Sequence, residues 1–167
     1  ILIYIEAMPW VVEQASGRET FRVLGSIEVL GRYQRVESVP VLKSLLLGAP
    51  SVFVRDAAAV ALGRMGGVSA EEALLSALAS DIDASVRAHV AQALAHHPSP
   101  SVFQSLVSVM RGDSDPWVRR AAAEAVAKMP YDDNEKFKIY LERFTEEEDR
   151  SLAARLAYLA FVTGGDS

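Results

Sequence analysis

Cysteine is missing from the 167-residue chain. Its absence excludes a disulfide framework, a thiolate metal site and a cysteine nucleophile together. It fits a reducing, cytoplasmic setting. Positive charge is also in short supply: 17 Lys and Arg stand against 22 Asp and Glu, a formal net charge of -5. A general nucleic-acid binder needs the opposite surplus, so no nucleic-acid partner is expected. No apolar run approaches the roughly 18 residues that span a bilayer, so no membrane insertion is expected within this segment. Ile1-Leu2-Ile3-Tyr4-Ile5 is interrupted by Glu6 and lacks the basic start and longer apolar core of a signal peptide. There is no Gly-rich phosphate loop, no Gly-x-Ser-x-Gly elbow and no paired spacing of catalytic carboxylates. The chain starts on Ile1 and stops at Thr163-Gly164-Gly165-Asp166-Ser167, so it reads as a fragment of a larger protein.

What is present is a repeat. Half of the residues are hydrophobic and 23% are charged, a globular balance. Ser51-Val52-Phe53-Val54-Arg55, Asp83-Ala84-Ser85-Val86-Arg87 and Asp115-Pro116-Trp117-Val118-Arg119 recur at a spacing of 32 residues. Behind each Val-Arg pair the columns match: Ala58, Val90, Ala122; then Ala61, Ala93, Ala125; then Leu62, Leu94, Val126, followed by small Gly63, Ala95 and Ala127. Apolar residues at i, i+4, i+7 and i+8 mark one stripe of an α-helix. Asp83 and Asp115 stand where an N-cap belongs, and Pro116 suits the first helical position.

A second helix follows in each unit. Leu42, Leu74 and Leu106 keep the 32-residue spacing. Pro40 leads into Leu42, Leu45 and Leu46, with Gly48 as the stop. Ser69 and Glu72 form a capping-box pattern, Ser99-Pro100 opens the next helix, and Asp132 with Glu135 the one after. That last helix is expected to bury Phe137, Tyr140, Leu141 and Phe144. Ser16 and Glu19 mark the start of the first helix of the array. No strand is predicted. One helix pair cannot bury its apolar face alone, because each buried Leu or Val contributes about 1.5–3 kcal/mol against about 1–2 kcal/mol of backbone entropy per residue. Stacked pairs share one core. The expected domain covers residues 1–167, with a remnant of an upstream segment over 1–15, repeats at 16–48, 49–81, 82–114 and 115–149, and a partial repeat at 150–167.

Val54-Arg55-Asp56-Ala57-Ala58-Ala59-Val60-Ala61-Leu62-Gly63 and Val118-Arg119-Arg120-Ala121-Ala122-Ala123-Glu124-Ala125-Val126 resemble the short HEAT-like repeat named after phycobilisome lyases. The resemblance covers residues 18–160. It implies an all-α, right-handed α-solenoid of stacked antiparallel helix pairs, about four to five repeats long. It also implies that second helices line a concave side that binds other proteins. Tetratricopeptide and ankyrin signatures are lacking.

The resemblance implies that Arg55, Arg87 and Arg119 lock neighbouring units, through carboxylates such as Asp83 and Asp115, rather than form a basic ladder for an acidic ligand. His96-His97 precedes Pro98 in a turn, and His89 shares a column with Ala57 and Ala121. No third ligand stands near them, so no metal site is expected. Iron-binding His-Glu dipeptides, as in the HEAT-like deoxyhypusine hydroxylases, are absent. Trp117 beside Asp115 is the only echo of the HEAT-like DNA glycosylases, and its column with Phe53 and Ser85 reads as packing near a helix start. If the Leu42 column faces the core, Ser44, Glu72, Ser76, Gln104, Ser108 and Arg111 form a small, mildly polar strip toward the concave side. The expectation is therefore a non-enzymatic interaction scaffold or regulatory module without cofactor. Its partner is another protein or another domain of the same chain. A bilin-lyase-type enzyme or enzyme subunit is the alternative, and a DNA-repair module a weaker one.

Overall fold

The structure, a computed structural model, describes residues 18–164, with side chains from Phe21 onward. The expected remnant over residues 1–15 and the expected cap residue Ser16 lie outside what it describes, and Glu19 falls in the first turn of α1. The helices are α1 (Arg18–Tyr33), α2 (Val39–Gly48), α3 (Val52–Met65), α4 (Val68–Ser80), α5 (Ala84–Leu94), α6 (Pro100–Gly112), α7 (Pro116–Lys128), α8 (Asp133–Glu146) and α9 (Arg150–Gly164). A 3-10 turn, Val36–Ser38, leads into α2. No strand occurs among the described residues. The chain divides into two compact units, one ending at His97 and one beginning at Pro98. The division falls inside the expected 82–114 repeat, between its two helices.

The start signals operate through side-chain oxygens. Asp83 accepts from the Ser85 amide at 2.9 Å and Asp115 from the Trp117 amide at 2.8 Å. Ser99 accepts from the Val102 amide at 3.2 Å, and Asp132 from the Glu135 amide at 3.0 Å. Each satisfies an N–H that has no partner inside the helix. Helix α4 departs from expectation. Gly66 and Gly67 take φ of 69° and 85°, a region open to glycine. They deliver the chain into the helix at Val68, so Ser69 lies inside the first turn and forms no capping box with Glu72.

In the first unit α1, α3 and α5 pack side by side, and α2 and α4 form a second layer against them. The core is built from Val23, Ile27, Leu42, Leu46, Val54, Leu62, Leu74, Leu78, Val86, Val90 and Leu94, all buried. First helices meet backbone to backbone. A Cβ added to Gly31 would stand 2.9 Å from the Ala61 Cβ, and one on Gly63 would stand 2.8 Å from the Ala93 Cβ. At the end of α3, Gln34 donates to the Arg64 carbonyl at 2.9 Å, and the buried His97 ring lies beside the carbonyls of Gly63 and Leu62.

In the second unit α7 packs against α6 and α9, and α8 against α9. Leu106, Met110, Val118, Val126, Leu152 and Leu156 are buried between them. Helix α8 is turned away from its expected face. Tyr140 is fully buried, but Leu141 and Phe144 are exposed, and Lys136 is buried instead. Polar anchors set this rotation. The Tyr140 hydroxyl donates to the Ala123 carbonyl at 3.0 Å, and Arg143 donates to the Met110 carbonyl at 3.2 Å. Lys136 runs its stem through the core and reaches Asp133 at 2.8 Å.

Candidate partner-binding face

The expected strip residues all lie on second helices and are exposed: Ser44 on α2, Glu72 and Ser76 on α4, and Gln104, Ser108 and Arg111 on α6. The Ser76 hydroxyl is turned back onto its own helix, donating to the Glu72 carbonyl at 2.8 Å. In the second unit the strip borders a groove. A cavity of about 610 Å³ runs between α6 and α8, lined by Phe103, Gln104, Val107, Ser108, Arg111, Gly112, Glu135 and Ile139. Its floor is apolar. Phe103 is buried and stacks on Tyr131 with ring centroids 4.2 Å apart. At one end Arg111 reaches Glu142 across the groove at 2.8 Å. The first unit has a smaller cavity of about 230 Å³ between the ends of α2 and α4, which includes Leu47, Arg55 and Asp81 but not Ser44, Glu72 or Ser76.

The repeated arginines sit in α3, α5 and α7. The partner of Arg55 is Asp81, not Asp83: two nitrogens of its guanidinium meet the carboxylate at 2.8 Å and 3.0 Å. A third nitrogen donates to the Ala49 carbonyl at 2.9 Å. Asp83 is taken up by its cap, and hydrogen bonds from Ser85 hold its carboxyl below the usual range. Arg87 donates to the Asp81 carbonyl at 3.0 Å. Arg119 meets Glu147, not Asp115, at 2.7 Å and 3.1 Å. Glu147 also receives Arg143 at 2.7 Å, and its side chain is 1% exposed. Burial pulls the Glu147 carboxyl upward, but the Arg119 hydrogen bond, the Asp149 amide and the charges of Arg119 and Arg143 bring it below its ordinary value. Asp81 recurs 32 residues on as Asp113, a signal that could have marked it, while Glu147 stands two residues out of that register.

The histidines separate. His89 on α5 faces Asp56 on α3 at 3.1 Å. His96 borders a cavity of about 240 Å³ with Arg64, His89 and Gln92 between first helices. His97 is 6% exposed, and its Nε2 has no hydrogen-bond partner. Burial lowers its pKa. Its 32-residue neighbours in the sequence are Met65 and Met129, a signal that would have marked it as a core position. Trp117 is exposed at the start of α7.

Helix pairs with matching cores, stapled by arginine–carboxylate pairs at the ends of first helices, now have a counterpart among known sequences. A sequence model of HEAT repeats matches residues 21–84 and 71–160. The chain belongs to the HEAT-repeat family. The matched model is that of HEAT repeats in general and does not single out the phycobilisome-lyase type. No characterised protein shows significant similarity to the chain. HEAT repeats generally mediate protein–protein interaction. No helix among the described residues is long and apolar enough to cross a membrane.

Proposed function

We propose that this HEAT-repeat chain is a non-enzymatic interaction module that holds a segment of a partner protein against its second helices. The groove between α6 and α8 carries this reading, because its walls include Gln104, Ser108 and Arg111 and its floor includes Phe103, Val107 and Ile139. An apolar floor with a polar rim is the usual build of a protein interface. The long side chains that would obstruct it are few, and Arg111 is held to one end by Glu142.

The test uses three forms of the chain as affinity baits. One is unaltered, one carries Ser76→Trp and Ser108→Trp, and one carries Val60→Trp on an exposed first-helix position. Circular dichroism should show equal helicity in all three. A partner kept by the unaltered and Val60→Trp forms and lost by the double variant supports the reading. A partner kept by all three places binding elsewhere.

A further inference from the structure

The groove between α6 and α8 is not evenly charged, and the geometry points to a cationic, amphipathic segment of a protein as its occupant. This rests on the interaction reading above and adds the chemistry of the partner. Glu135 and Ile139, one turn apart, line the groove from α8. Glu142 is matched by Arg111 across the far end at 2.8 Å. Asp133 is matched by Lys136. At the near end Asp132 and Glu135 are both exposed, and among the described residues neither pairs with a cation. The Asp132 carboxylate serves only as the cap that accepts from the Glu135 amide. Neither Asp132 nor Lys138 is part of the lining, which leaves Glu135 as its one carboxylate.

The opposite wall contributes no charge to that end. Gln104 and Ser108 are exposed and neutral. The lining at the start of α8 therefore carries one unmatched carboxylate, Glu135, over an apolar floor, while at the other end Arg111 is paired with Glu142. From Gln104 to Arg111 the groove runs two helical turns, roughly 10 Å. That length accepts two apolar side chains one turn apart. A Lys or Arg of the same segment would then lie over Glu135. An acidic segment would meet like charge there, which disfavours it.

The probes are two labelled peptides of about 12 residues, roughly three helical turns. They share their leucines and differ only in carrying lysines or glutamates at the polar positions. Fluorescence anisotropy is read against the unaltered chain, Ser108→Trp and Glu135→Lys, each checked for helicity. The lysine peptide should bind the unaltered chain roughly threefold to tenfold more tightly than the glutamate peptide, the range of one or two exposed charge pairs. Glu135→Lys should erase that preference, and Ser108→Trp should abolish binding of both. Equal binding of the two peptides, lost in Ser108→Trp, would overturn the cationic occupant and leave the groove standing. Binding untouched by Ser108→Trp would overturn both, and no binding of either peptide overturns the amphipathic occupant.

Discussion

The two units solve one packing problem by different means. In the first, helices approach until backbones touch, and small residues make that possible: Gly31 against Ala61 and Gly63 against Ala93. In the second, the corresponding column reads Ala127, and space is filled by rings and charges. Tyr140 is buried whole, Phe137 sits where a Cβ on Gly164 would stand 2.7 Å from its ring, and two arginines converge on Glu147. Close apolar contact needs only size complementarity. A buried charge needs every partner in place, since a lone one is strongly disfavoured. Both units hold a largely buried arginine–carboxylate pair, Arg55–Asp81 and Arg119–Glu147; the first adds a sensitivity to added volume, and the second leans two arginines on one carboxylate.

The sharpest way to break this contrast is Glu147→Ala. It leaves Arg119 and Arg143 largely buried without their carboxylate, so a loss of about 3–5 kcal/mol is expected. Hydrogen exchange should show α7, α8 and α9 losing protection. A loss no larger than that of a surface ion pair, about 1 kcal/mol or less, would mean the cluster contributes little. Next comes Leu74→Ala in the first unit, with an expected cost of about 2–5 kcal/mol from lost burial and the cavity left behind. An unchanged denaturation midpoint would contradict the inward face of α4. Third, Gly63→Val should cost about 1–3 kcal/mol by overpacking. Ala127→Val, at the half-buried position of the same column in the second unit, should cost less, about 1 kcal/mol or under. Equal effects at the two positions would erase the distinction.

The smallest effect expected is in pH. His97 is buried with its pKa lowered, so the unfolded chain takes up the proton more readily than the folded one. Its neutral form imposes no pH dependence above the ordinary histidine value of about 6.5, and stability falls as pH drops below it. The ring meets the carbonyls of Gly63 and Leu62, with the charge of Glu71 favouring protonation and that of His96 opposing it. His97→Met should flatten thermal midpoints between pH 7 and pH 5 relative to the unaltered chain. A parallel decline in both would remove His97 as the cause. Glu147 acts at lower pH: its depressed pKa means that its contribution is present above the ordinary carboxyl range and fades as acid protonates it.

The period of 32 residues, the caps at Asp83, Ser99, Asp115 and Asp132, and the Leu42, Leu74 and Leu106 column were legible because each depends on neighbours close in sequence. The exposure of Ser44, Ser76 and Ser108 follows from the same helical period. What escaped depends on partners far away. Nothing local says that Arg55 would choose Asp81 over Asp83, because Asp83 looks equally acidic until its cap is seen to occupy it. The turn of α8 escaped for a related reason. Phe144 and Leu141 are greasier than Lys136 and Arg143, and only distant carbonyls and Glu147 make the charged side the inner one. The groove was half legible: its α6 wall came from the repeat, while Glu135 and Ile139 entered only once α8 was placed.

The junction at Glu147 has a consequence for how this stretch tolerates genetic drift. Because two guanidiniums share one carboxylate, replacing either arginine still leaves the acid with a cation beside it. Replacing the acid leaves Arg119 with backbone carbonyls alone and Arg143 with the Met110 carbonyl and the longer 3.8 Å contact to Glu146. Neutral wandering through sequence space should therefore be one-sided here, with the bases exchangeable in turn and the acid held fast.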